Sequence, residues 1–217
     1  MDDYINKLEN NDPTLVELNL FSNTSDLWRN INDKKRFVNS LKNNTHLKYL
    51  KIYCDNFIDE IVEILKHNIN LQGLRIYGIF NTNGNDINKI INALKINTTL
   101  QILDISIGHI NDNNAIEITN MLRVNTTLQK LNISHNHFSK AGLIEIVNAL
   151  RINTSLKVLD VSWNEFKYDD VRNEIIDILQ YNHTLEKLEG VYLGDFLSPE
   201  NKSIRKRFLT TKCVKKS

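Results

Sequence analysis

His109, His137 and Glu165 follow one another at intervals of 28 residues. Two imidazoles and a carboxylate are ligand types found in zinc sites. Equal spacing brings them together only if the chain itself repeats with that period. Their ordinary alternative is to stand solvated at loop edges, and no metal is assigned to them. Other chemistry has less to work with. The chain contains no G-x-x-x-x-G-K-[ST] phosphate loop, no G-x-S-x-G elbow and no H-E-x-x-H pair, and it has only seven glycines. Cys54 falls at a strand end and Cys213 near the C-terminus, without the spacing of a disulfide framework or a zinc site. No catalytic residue and no cofactor is expected, and the pattern reads as a binding protein, not an enzyme.

The 28-residue interval belongs to the whole chain. NTTLQKLNIS at Asn125 returns as NTSLKVLDVS at Asn153. Further copies start at Asp12, Asn44, Asn68, Asn97 and Asn182, with spacings of 32, 24, 29, 28, 28 and 29 along the series. Each opens with an L-x-x-L-x-L-like string, such as Leu47/Leu50/Ile52, Leu100/Leu103/Ile105 and Leu156/Leu159/Val161. The alternation at the last two positions predicts a strand. An Asn or Asp three positions on (Asn23, Asp55, Asn136, Asn164) is suited to bond backbone groups where the chain leaves the strand. Ile79 and Gly108 take that place in the third and fourth copies, which predicts irregularity there.

The second half of each copy carries a helical stripe. Leu143, Ile146, Val147 and Leu150 are preceded one period earlier by Ala115, Ile118, Thr119 and Leu122, and before that by Ile87, Ile90, Ile91 and Leu94. The Asn that opens the next copy is placed to end the helix in the left-handed conformation. One such unit cannot bury both its strand and its stripe, whereas stacked units share a continuous core. The fold class is therefore α/β: a right-handed solenoid or horseshoe of about six to seven repeats, with a parallel sheet on the concave face and helices on the convex face. Residues 1–11 are read as an N-terminal capping helix using Tyr4, Ile5 and Leu8, residues 12–197 as the solenoid, and residues 198–217 as a basic cap or tail.

With all helices on one side, the other face of the sheet stays open and presents side chains in rows. The position between the second and third apolar residues runs Asn19, Lys51, Arg75, Asp104, Asn132, Asp160, Glu189, basic early and acidic late. The row beyond the strand's last apolar residue runs Phe21, Tyr53, Tyr77, then Ser106, Ser134, Ser162, and the next adds His135, Trp163 and Tyr192. Tyr, Trp and Arg are frequent interface anchors. Phe21, Tyr53 and Tyr77 beside Lys51 and Arg75 suit an apolar, acidic patch of a protein partner. Trp163 with Asp104, Asp160 and Glu189 suits a basic one, so that opposite charges fix orientation. The 22–35 segment, SNTSDLWRNINDKK, reads as an inserted loop carrying Trp28.

The repeat string and its 28–29-residue units resemble the leucine-rich repeat family, in its ribonuclease-inhibitor-like class. Within it, LENNDPTLVELNL at 8–20, NTHLKYLKI at 44–52, AIEITNMLRVNTTLQKLNIS at 115–134 and the ending NKSIRKRF at 201–208 look like the repeat domain of tropomodulins and leiomodins. That resemblance implies an actin partner.

Charge is unevenly distributed. Of 27 basic residues seven lie in 202–217, which holds no acid, leaving 20 against all 26 acidic residues in the rest of the chain. Arg205, Lys206 and Arg207 are the candidate tail contacts, either as the solvated face of an end cap or as a binder of nucleic acid, anionic lipid or an acidic partner. The first ten residues carry neither the basic nor the apolar region of a signal peptide, and no run approaches the ~20 apolar residues that span a bilayer. A cytoplasmic monomer is expected, with a protein partner and no small-molecule substrate.

Overall fold

The computed structural model describes residues 2–20, 31–53, 57–78 and 85–191. Among these, seven short strands make one parallel sheet in chain order: β1 Glu17–Leu20, β2 Tyr49–Tyr53, β3 Gly73–Tyr77, β4 Ile102–Asp104, β5 Lys130–Asn132, β6 Val158–Asp160 and β7 Lys187–Glu189. Helices α1 Asp2–Glu9, α2 Ile31–Asn43, α3 Ile58–His67, α4 Asn85–Leu94, α5 Asp112–Leu122, α6 Lys140–Ala149 and α7 Tyr168–Tyr181 precede or connect them. The register joins the repeat columns one to one: Leu18 faces Leu50, then Leu74, Leu103, Leu131, Leu159 and Leu188. Those leucines, the apolar residues two places on and the helical stripes form one continuous core. This is the right-handed solenoid that the repeat predicts, with its helices on the convex side. Gly190 takes the place of the last strand's third apolar residue. It adopts φ +91° so close to the backbone of Val161 and Ser162 that no side chain fits.

The repeated asparagines have a different role from the helix-ending one expected of them. None of Asn44, Asn68, Asn97, Asn125, Asn153 and Asn182 is left-handed. Asn68 and Asn182, for example, are extended at φ −77° and −85°. All six are buried. Each Oδ1 accepts the N–H groups two and three residues on, as Asn153 does from Ser155 (3.1 Å) and Leu156 (2.8 Å). Each Nδ2 donates back across a whole repeat, to the carbonyl of the stripe leucine that ends the helix just before the previous junction. Asn97 reaches Leu65 at 2.7 Å, Asn125 reaches Leu94 at 2.7 Å, Asn153 reaches Leu122 at 2.7 Å and Asn182 reaches Leu150 at 2.8 Å. These are carbonyls that a helix end leaves unpaired. In the later repeats the same amide also meets the previous asparagine's carbonyl, at 3.2 Å for Asn125 and 3.1 Å for Asn153 and Asn182. The left-handed helix exit occurs instead at Asn11, φ 51°, after α1.

A second asparagine ladder lies where the strands end. Asn136 is buried, accepts from the N–H groups of Gly108 and Ile110, and donates to Ile105, Ile133 and Ser134. Asn164 repeats the donor half of this pattern. Gly108 lacks the amide of its own column and borrows that of Asn136, and the expected irregularity shows as a positive φ at His109 that its successors His137 and Glu165 do not share. Asn23, Asp55 and Ile79 lie outside the described residues.

Helix α6 starts on Ser139, whose Oγ accepts from Ala141 N–H and donates to Asp112 on α5. Asp112 also takes the N–H groups of Ser139 and Gly142, so one carboxylate caps the neighbouring helix where negative charge is favoured. Helix α1 buries Ile5 and Leu8, whereas Tyr4 turns out to solvent at 40% exposure and does not join them. Arg36 of α2 holds α1 through Glu9 (2.6 and 2.7 Å) and Asn6 (2.7 Å). Residues 31–35 of the presumed loop are the first turn of α2, while Trp28 lies outside the described residues.

Asn153→Ala should cost about 3 kcal/mol in urea denaturation, because it strands buried backbone groups on both sides of a repeat junction. Ser155→Ala, which removes only bonds of 3.3–3.4 Å, should cost under about 1 kcal/mol. A second expectation concerns the α1 clamp. The hydrogen bond from Arg36 holds the Glu9 carboxyl below its ordinary range, against slight desolvation and with help from the arginine's charge. A folded-state value below the unfolded one means that the clamp contributes fully above the ordinary pKa of about 4.3 and fades as pH falls through the lowered value. NMR titration should place Glu9 below ordinary glutamates in the native chain and return it to them in Arg36→Gln.

Candidate functional site

The exposed sheet face carries three rows of side chains. The first, absent from the sequence reading, comes from the residue before each strand's conserved-column leucine: Glu17, Tyr49, Gly73, Ile102, Lys130, Val158 and Lys187. It was legible as the second x of L-x-x-L, which period-2 alternation also turns outward. Tyr49, 39% exposed, lays its ring over Gly73, where a Cβ would stand 2.6 Å from the ring edge. Tyr53 covers Gly78 in the same way. Both glycines make room for aromatic rings that reach across to the next rung.

Charges in the second row are matched by neighbours within the chain. Lys51 bonds Glu17 at 2.6 Å and thereby holds the Glu17 carboxyl below its usual range. Arg75 Nε meets Asp104 at 2.6 Å, its Nη1 donates to the Tyr77 hydroxyl at 3.2 Å, and its guanidinium lies 5.9 Å from that ring's centre. Burial works against the Arg75 charge. The Tyr77 bond and the Asp104 field more than offset this, and its pKa lies above the ordinary guanidinium value. Glu189 pairs with Lys187 at 2.5 Å. Asp104 does not stand in an exposed row as expected, since only 5% of it is accessible. Its carboxylate accepts from Ser106 N–H and Oγ, as Asp160 does from Ser162, and Asn132 accepts from Ser134 N–H. The D/N-x-S spacing of these repeats is thus a turn device at the strand exit. The two rows were read separately, and the coupling between them was missed.

The structure therefore brings Lys51, Tyr53, Arg75, Tyr77 and Asp104 into one cluster, extended by Tyr49. Beside it, Arg75, Asp160 and Glu189 line a shallow depression of about 180 Å³ with Ile102, Lys130 and Val158. His135 and Trp163 stand apart from the floor, at the rim where strand turns toward helix. Their rings stack at 5.3 Å and 11°. His135, Trp163 and the corresponding Ile107 are all left-handed, at φ 53° to 57°. That conformation costs an ordinary side chain about 1–2 kcal/mol, and Trp163 is nevertheless 67% exposed. Phe21, Tyr192, Arg205, Lys206 and Arg207 lie outside the described residues, as do Cys54 and Cys213.

The column that opened the sequence reading is assembled by the repeat. The His109 and His137 rings lie 5.2 Å apart, and His137 Nδ1 is 2.9 Å from Glu165. Among the described residues no group of three His, Cys, Asp or Glu side chains is disposed to hold a metal ion, and no helix is long and apolar enough to cross a membrane.

Strand–loop–helix units in register, with amide ladders at both ends of the strands and an open sheet face, define a leucine-rich repeat solenoid. The family model described as the TMOD/LMOD leucine-rich domain matches residues 64–193, and the chain belongs to that tropomodulin and leiomodin repeat family. Among solved structures it is similar to one titled leiomodin-1 actin-binding site 2, with TM-score 0.51, 20% identity, and coverage of 94% of this chain and 85% of that one. It is also similar to a tropomodulin C-terminal domain of Caenorhabditis elegans, with TM-score 0.59, 14% identity, and coverage of 69% and 89%. At these identities both likenesses concern the fold. No curated protein matches the sequence.

Replacing Arg75 strands the carboxylate of Asp104 under the sheet face. Arg75→Gln should cost about 2 kcal/mol, since the arginine is half-exposed and the aspartate buried. Combining it with Asp104→Asn should cost less than the sum of the single changes. A double-mutant cycle in urea should find coupling of about 1 kcal/mol or more.

Proposed function

We propose that this chain is a non-enzymatic protein-binding module that engages its partner on the exposed sheet face, and that the partner is actin. The observation that carries the reading is the face itself: aromatic rings packed over glycines, an arginine fixed between a tyrosine and a buried aspartate, and a shallow depression beside them. Family membership and a likeness to a structure titled as an actin-binding site support the choice of partner. Because Lys51, Arg75 and Glu189 are paired within the chain, affinity rests on Tyr49, Tyr53, Tyr77 and Trp163, and the pairs set orientation.

Exchanging Tyr53, Tyr77 and Trp163 together for Ala should leave a folded solenoid by circular dichroism and lower actin co-sedimentation at least about tenfold, as loss of several interface anchors does. Full capture by the folded triple variant would rule the face out. A native chain that ignores actin would leave the face without this partner.

A further inference from the structure

A second surface runs along the opposite edge of the solenoid, where helices end and strands have yet to begin. The residue before each buried asparagine in the last four units is Ile96, Val124, Ile152 and Tyr181. They are 68%, 57%, 62% and 61% exposed, although the first three are β-branched aliphatics and stand one per repeat in a single file. One place earlier stand cations: Lys66 in the unit before, then Lys95, Arg123 and Arg151. A cation at a helix C-terminus is explained by the helix dipole. That account does not extend to an isoleucine or valine kept in water at three successive junctions, followed by an exposed tyrosine at the fourth. Glu117 and Asp177 already meet Lys95 and Arg151, and Arg151 lies 5.1 Å from the centre of the Tyr181 ring. The surplus positive charge of the stripe therefore sits on exposed Lys66 and Arg123. On its other flank Thr98, Thr126 and Thr154 are exposed and too short to shield it.

We infer that this stripe docks an acidic amphipathic α-helix of a partner protein. Register selects the occupant. The amide ladder ties each rung to the last, asparagine side chain to asparagine carbonyl, at 3.1–3.2 Å. This holds neighbouring apolar residues about one strand spacing apart, ~4.8 Å. A helix presents one apolar side chain per turn every ~5.4 Å, a mismatch that side chains absorb over four rungs. An extended strand returns to the same face only every ~6.6–6.8 Å and falls out of step. A stripe one residue wide also fits a rod better than a bilayer surface. The partner helix carries apolar residues at i, i+4, i+7 and i+11, with Glu and Asp beside them to meet Arg123 and Lys66.

The test uses the full chain and a fluorescein-labelled designed peptide of about 20 residues, long enough to hold a helix. The peptide bears leucines at those four positions and glutamates on its flanks, and a shuffled peptide has the same composition. Fluorescence anisotropy should show saturable binding of the first. Val124→Asp, Ile152→Asp and Arg123→Glu should each weaken it at least about tenfold, the loss expected for one anchor residue. The shuffled peptide should bind no better than Val124→Asp binds the first. These positions are solvent-exposed, and unchanged thermal melting verifies that each variant folds. Absence of saturable binding, equal binding by the aspartate variants, or equal affinity for the shuffled peptide would overturn the inference. So would binding to phosphatidylserine vesicles that Val124→Asp abolishes while the peptide stays unbound, which would make the stripe a membrane surface. The Tyr53, Tyr77 and Trp163 triple variant should keep the peptide, which separates this surface from the sheet face.

Discussion

A buried side-chain amide at each repeat junction is the interaction on which the rest of the molecule depends. Apolar packing alone would press the units together and leave them free to slide. The asparagine amide removes that freedom by satisfying three or four backbone groups at once, on both sides of two successive junctions, at fixed distances. A buried backbone group without a partner costs about 1–3 kcal/mol, so a junction out of step is penalised several times over. The sheet inherits its register from this constraint: strands of only three to five residues pair without a slip across seven rungs. Threonine or serine two places on contributes a weaker copy of the same bond, as Thr127 and Ser155 do. The glycosylation-like tripeptides that begin at Asn97, Asn125, Asn153 and Asn182 are accordingly junction pieces whose asparagines are buried.

Register in turn decides what the surfaces can offer. Rows of side chains one strand spacing apart are close enough to neutralise one another, and on the sheet face they do so. Lys51 with Glu17 and Arg75 with Asp104 become ties between rungs, and what remains for recognition is the rings and the shallow depression beside them. On the opposite edge the same spacing keeps aliphatic residues in file with nothing of the described chain laid over them. One repeat rule thus produces two faces of different character.

Much of this is legible in the sequence, because repetition turns a single line of text into columns. The strands, the helical stripes and the order of the sheet follow from leucine spacing, and the buried residues are those the stripes name. The column asparagines were harder to read. Helix-ending asparagine is common, and propensity alone prefers it, but a helix can also end on extended residues when another unit's amide reaches its carbonyls. That bond joins residues from different copies and is invisible within either. Asp104 hides for a related reason: its burial comes from Arg75 folding across it, a contact between two rows read as independent. The row of Tyr49 and Lys130 is harder to see in the sequence, because an apolar residue flanks it on one side only and the alternation does not mark it. Ile96, Val124 and Ile152 look like core residues in the text and become surface only when the turn beside them is built.

The amide ladder has a direction. Every Nδ2 of the junction asparagines points toward the N-terminal neighbour, so each unit supplies its own donors and finds its acceptors in chain made before it. As the chain leaves the ribosome, a new repeat always meets a finished seat, and the carbonyls left at the growing end are ones that water can serve. Removing units from the front would instead leave donors without the carbonyls they are placed to meet, and would uncover the apolar core behind them. The solenoid is in this sense a one-way structure, with each side-chain tie between its units running from tail to head.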